Sequence, residues 1–177
     1  MEYLIEDLVE AWVVFKPEVL AGPVLSRVKV PLADFLGMSE AHRITFLVSE
    51  VQRDFKLDLK SGATKFEKLL GAVGLDGPVD QHVRDALYEM QNIRNVWAHR
   101  GGVADRRLVE ACPSLAFSEG EKVNIGTSEY GRYGHALVAY VGIVFNHCQK
   151  VCGLDPVAYD LPGFYGVVGG AASPAPM

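Results

Sequence analysis

At 177 residues, 49% hydrophobic and 22% charged, the chain has the make-up of a globular protein and the length for one packed domain or a little more. A formal charge of −5 argues against a nucleic-acid coat protein, whose surface would be basic throughout, and leaves room for one local basic site. Three cysteines, an N-terminus without a basic n-region and an apolar run from Ala136 to Phe145 too short for a bilayer together point to a cytoplasmic protein with no disulfide framework and no membrane partner.

Taken in chain order, apolar residues at helical spacing (Leu4, Ile5, Leu8, Trp12, Phe15) predict a helix from Glu2 to Phe15, ended by Lys16-Pro17. From Glu18 to Leu36 the pattern is irregular, with Gly22-Pro23 and Pro31 as breakers, and short helical turns are expected. Ser39 reads as an N-cap for a helix running to about Phe55. Ser61-Gly62 marks a loop, Thr64 to Val73 a short helix, and Gly74 to Pro78 a turn.

The central helix is expected from about Val79 to Arg100, with an apolar stripe of Val79, Val83, Ala86, Met90, Ile93 and Trp97. Gly101-Gly102 stops it, because glycine accepts the left-handed cap conformation. Asp105 to Ala111 reads as one or two further turns ended by Pro113, and 121–125 as a short strand or extended loop. A last helix is placed over Glu129 to Cys152. The Gly-, Pro- and Ala-rich remainder, 153–177, reads as a poorly ordered tail. The expected fold is therefore all-α, an antiparallel bundle of four to five helices, with a helical extension over 1–38 and the main domain over 39–152.

At 100° per residue the central helix has a polar side, roughly opposite the stripe, carrying Arg84, Tyr88, Asn92, Asn95 and His99. Asn95 and His99 are four apart and stack on that face, while Arg94 stands on the shoulder with a side chain long enough to reach it. Between Arg94 and Arg107 four arginines face one aspartate, a local basic site inside an acidic chain. Arginine and histidine at a helix end are also ordinary stabilisers, and a polar face is usually just solvated.

The longer string Ile93-Arg94-Asn95-Val96-Trp97-Ala98-His99-Arg100-Gly101-Gly102, followed by Ala104-Asp105 and Cys112-Pro113, resembles the motif region of the HEPN superfamily, whose helix carries Arg-x(4–6)-His. The upstream Ser61-Gly62-x-x-Lys65-Phe66-x-x-Leu69-Leu70 is similar to the helix preceding the motif in several of these families. The nearest flavour is the stand-alone bacterial groups of the RiboL-PSP-HEPN type, and the likeness covers about Val48 to Cys152. The resemblance implies a metal-independent endoribonuclease without cofactor, homodimeric with a composite active site, acting on RNA in a toxin, abortive-infection, phage-defence or stress response, with an antitoxin or regulatory protein as a possible partner. The alternative is a non-catalytic HEPN-like module that binds RNA or protein and dimerises.

On that resemblance the catalytic candidates are Arg94 for the phosphate, His99 for proton transfer and Asn95 to orient His99 or bond the backbone or substrate, a purely structural role being the alternative for Asn95. Arg100, Arg106 and Arg107 are candidate RNA-backbone contacts and Tyr88 a candidate base-stacking residue, each weighed against a solvated charge or a buried ring. Cys148-x-x-x-Cys152 beside His147 lacks a second pair, so buried core cysteines are expected there and no metal site. Gly166 to Gly170 lacks the lysine and following helix of a phosphate loop.

Overall fold

The computed structural model describes residues 2–54 and 63–157. Seven α-helices occur among these residues: α1 (Glu2–Phe15), α2 (Leu32–Gly37), α3 (Glu40–Asp54), α4 (Ala63–Ala72), α5 (Gln81–Arg100), α6 (Arg106–Ala111) and α7 (Thr127–Val151). The five longest are those expected from the sequence, and the all-α helical bundle stands. The two shorter helices, α2 and α6, have six residues each and fall where short helical turns were expected. None of the described helices is long and apolar enough to cross a membrane. The chain divides into two compact units, Met1–Gly77 and Pro78–Met177. Residues 1–38 thus share a unit with α3 and α4. Phe55, the Ser61-Gly62 loop and everything past Val157, including Gly166 to Gly170, lie outside the described residues.

In the first unit α1 packs on α3 and α4. Its buried residues are Ile5, Val9, Trp12 and Val13, at spacings of four, three and one. Leu4 and Phe15, expected on that face, are exposed, so the buried arc is turned toward the two valines. Polar bonds set how α1 lies on α3: Gln52 Nε2 donates to Glu6 at 2.8 Å and Thr45 Oγ1 to Glu10 at 3.0 Å. Arg43 of α3 donates to the carbonyls of Phe35 and Leu36, both at 2.9 Å, satisfying the last acceptors of α2. Ser39 Oγ accepts from the His42 amide at 3.4 Å, the expected N-cap position. Gly74, with φ +73°, closes α4 in a Schellman turn in which the Leu75 amide donates to Leu70 at 2.9 Å.

The second unit is built on α5 against α7. Asp80 starts α5, one residue later than Val79, by accepting from the His82 amide at 2.8 Å. Its buried face is Val83, Ala86, Leu87, Glu89, Asn92, Ile93 and Val96. Two expectations fail here. Trp97, assigned to the apolar stripe, is 49% exposed, and Asn92, assigned to the polar face, is only 7% exposed. The stripe does not run straight: it drifts around α5, so its C-terminal half buries Asn92 and Val96 and releases Trp97. Asn92 Nδ2 meets the need for a partner by donating to the Tyr88 carbonyl at 2.9 Å.

The 121–125 segment is extended and forms one isolated antiparallel bridge, Val103 with Lys122. Val123 is fully buried beneath it. Of the expected disordered tail, the described part through Val157 is held: the side-chain amide of Asn146 donates to the Val157 carbonyl at 3.0 Å and accepts from its amide at 2.9 Å. Cys112 is buried, but Cys148 is half-buried and Cys152 exposed, so the expected pair of core cysteines is not formed.

Leu87, 2% exposed, carries the α5 core with Val83 and Ile93. Leu87→Ala is expected to destabilise this unit by about 2–5 kcal/mol, the usual loss for a buried leucine plus the cavity left behind. Urea unfolding followed by circular dichroism would measure it.

Candidate active site

The site is assembled by a helix end, a stop and a second helix start. Gly101 (φ +61°) and Gly102 (φ +78°) take left-handed conformations, and the Gly102 amide folds back to the Val96 carbonyl at 3.3 Å. The chain then passes along the 120–123 segment, with Ala104 N–H donating to Glu121 at 2.8 Å and Gly120 N–H to Ala104 at 2.9 Å. Asp105 starts α6 by accepting from the Leu108 amide at 2.9 Å. The last turns of α5 and the first turn of α6 therefore border one recess of about 150 Å³.

Val96, Leu108 and Asn92 form its buried floor, and Asn95, His99, Arg100, Asp105 and Arg107 stand around it. Four of the sequence-derived candidates thus meet: Asn95, His99, Arg100 and Arg107. Arg94 does not line this recess. Its guanidinium donates to Asn95 Oδ1 at 3.2 Å, and its side chain belongs to a neighbouring groove with Trp97. Arg100 is committed to Asp105 at 3.5 Å, and Arg106 to Glu110 at 2.7 Å outside the recess. Tyr88 is half-buried and also lies off the recess. Arg94 and Arg107 have no acidic partner among the described residues. An imidazole, an amide and a guanidinium without an acidic partner around one small recess suit an anionic oxygen ligand such as a phosphodiester. Among the described residues no three His, Cys, Asp or Glu side chains gather as a metal set.

Sequence reasoning named neither Asn92 nor Asp105 as a site residue, and it missed a charged cluster elsewhere in the unit. Glu89, 8% exposed, accepts from Ser114 Oγ at 2.7 Å, from Arg132 and from Tyr133 Oη at 3.2 Å. Burial opposes its charge, but the hydrogen bonds from Ser114, Arg132 and Tyr133 and the Arg132 charge outweigh it and hold Glu89 below the ordinary 4.5. Burial, reinforced by the Glu89 charge, pushes Tyr133 up to about 12 and Cys112 up to about 11. The signal was present: Glu89 sits three residues after Ala86 and four before Ile93, an acid within the helical register of the core. Comparison with family models, with curated proteins and with solved structures found no match to the chain.

Because Glu89 is depressed in the folded state, the unfolded chain takes up that proton first as pH falls. Its contribution to stability is complete above pH 4.5 and is lost as pH falls through the lower folded value. Glu89→Gln should cost on the order of 1–3 kcal/mol at neutral pH and flatten the acid limb of the stability profile. Urea midpoints from neutral pH down to about pH 3 would show this.

Proposed function

We propose that this chain is a metal-independent endoribonuclease of HEPN type. The observation that carries the reading is the convergence of Asn95, His99 and Arg107 on one recess, with Arg94 bonded to Asn95 at its edge. RNA brings its own nucleophile, the 2′-hydroxyl beside the scissile phosphate. His99 takes the 2′-hydroxyl proton, the 2′-oxygen bonds to phosphorus, and the bond from phosphorus to the 5′-oxygen breaks as that oxygen takes a proton from solvent water. The products are a 2′,3′-cyclic phosphate and a 5′-hydroxyl end. Arg94 and Arg107 hold the non-bridging oxygens and offset the charge that grows on them in the transition state. Asn95 orients the arginine, its partner in the structure, as well as the imidazole four residues on. DNA lacks the nucleophile and survives.

The same reading makes the protein a homodimer in which two recesses serve one cleft, working in toxin, abortive-infection or stress physiology. Supporting self-association, Val138 (51% exposed) and Phe145 (50% exposed) lie seven residues apart on one face of α7. One observation favours the second reading, a non-catalytic RNA- or protein-binding module: Arg94 borders the apolar groove rather than the recess that holds His99.

Purified protein in EDTA should cut total RNA or tRNA and leave cyclic-phosphate ends. His99→Ala or Arg94→Ala should lower the rate by at least 100-fold with the circular dichroism spectrum unchanged, since both side chains are exposed. RNA left intact by folded protein would support the binding module instead. Val138→Glu with Phe145→Glu should convert a dimer to monomer in light scattering and depress cleavage with it. A dimer that survives the pair of charges would rule out this face of α7.

A further inference from the structure

On the other shoulder of α5 lies a groove of about 340 Å³ within the second unit, walled by Met90 and Trp97 of α5, Tyr130 and Leu137 of α7, and Ile125. We propose that this groove seats an unpaired base of single-stranded RNA, stacked on Trp97 and Tyr130, with Arg94 on the adjoining phosphate. The inference rests on the RNA reading of the neighbouring recess and names the form of RNA that the site takes.

Two large aromatic side chains stand in one groove with much of their surface open, Trp97 at 49% and Tyr130 at 75%. The indole is not loose. It packs on Gly102 so closely that a Cβ there would lie 3.2 Å from its ring carbons. A platform set in place before binding loses little freedom when a base lands on it. Every base offers an apolar π-face, so aromatic stacking tolerates any sequence but requires a base free of a duplex.

Charge separates RNA from the other candidates. Arg94 lines the same groove, is exposed, and has no acidic partner among the described residues. A second copy placed there about a two-fold axis would bring two such guanidiniums together and remove them from water, which costs free energy. A nucleotide supplies both the apolar face and the counter-charge. Through its 3.2 Å bond to Asn95, which lines the recess, Arg94 also joins the two places. A strand can therefore rest a base in the groove and present its neighbouring phosphodiester to His99.

The test is binding, so that it does not depend on turnover. His99→Ala protein is titrated in EDTA with a fluorescein-labelled ten-nucleotide single-stranded RNA, read by anisotropy, and with the unlabelled RNA, read by tryptophan emission. The chain has two tryptophans, and Trp12 is buried in the first unit, so a saturable quench that vanishes in Trp97→Phe reports the groove. Trp97→Ala and Tyr130→Ala should each raise Kd roughly five- to 150-fold, the span that base–aromatic stacking covers, and duplex RNA of the same length should bind more weakly than the single strand. Quenching and tight binding in a protein that never cuts RNA would sink the nuclease reading and leave this one standing. RNA bound by anisotropy with no quench and with unchanged Kd in Trp97→Ala would overturn the inference while leaving cleavage at the recess intact. Loss of dimer in Trp97→Ala by light scattering, again with RNA affinity unchanged, would overturn it in favour of a second copy in the groove.

Discussion

Gly102 is the point on which the site depends. Its φ of +78° turns the chain out of α5 immediately after His99 and Arg100. Its amide caps the helix on Val96, and its carbonyl accepts from Val123 at 2.8 Å, which ties the helix end to the extended segment. Its missing Cβ lets the Trp97 indole lie against the backbone. A side chain at this position would need a left-handed backbone and a tight 3.2 Å approach to the Trp97 ring. The stop defines the recess as well as the helix. Only a sharp exit allows α6 to begin at Asp105–Arg106 and bring Arg107 and Leu108 back beside Asn95 and His99.

Beneath this end the packing of α5 on α7 combines apolar burial with one deeply set charge. Val83, Ala86, Leu87 and Ile93 of α5 and Tyr133, Ala136, Tyr140 and Ile143 of α7 are buried where the two helices pack. Glu89 stands among them, and a buried carboxylate is tolerable only where donors surround it. Three donors do, from two different segments: Ser114 before the extended stretch and Arg132 with Tyr133 on α7. A slide of α7 along α5 would leave that charge unpaired, so the cluster fixes the register of two helices whose apolar contacts alone tolerate sliding. The register in turn sets Tyr130 across the groove from Trp97 and Arg94.

The two faces of the α5 end divide the chemistry. One holds the imidazole, the amide and Arg107 around a small polar recess. The other holds aromatic rings around an apolar groove. Arg94 and Asn95, adjacent in sequence, point to different faces and are joined by a hydrogen bond across the helix shoulder. Arg94 and Arg107, neither with an acidic partner among the described residues, thus stand together near one helix end of an acidic chain.

Helix existence and most boundaries were legible in the sequence because they depend on local rules. A 3.6-residue period marked α1 and α5, Ser39 and Gly101-Gly102 marked a start and a stop, and the spacing of four placed Asn95 and His99 on one face. Which face turned inward was not legible at the ends of helices, because that depends on the neighbour. Phe15 and Trp97 are apolar at helical spacing and lie exposed, whereas Asn92 and Glu89 are polar and are buried. The contact of Arg107 with the recess arises from a turn and a second helix start, and no spacing within α5 encodes it. The sequence alone thus determined an all-α chain with a basic, histidine-bearing helix end, since periodicity and capping act over a few residues. Tertiary structure decided which side chains meet there, since burial, register and charge pairing are settled only when distant segments pack together.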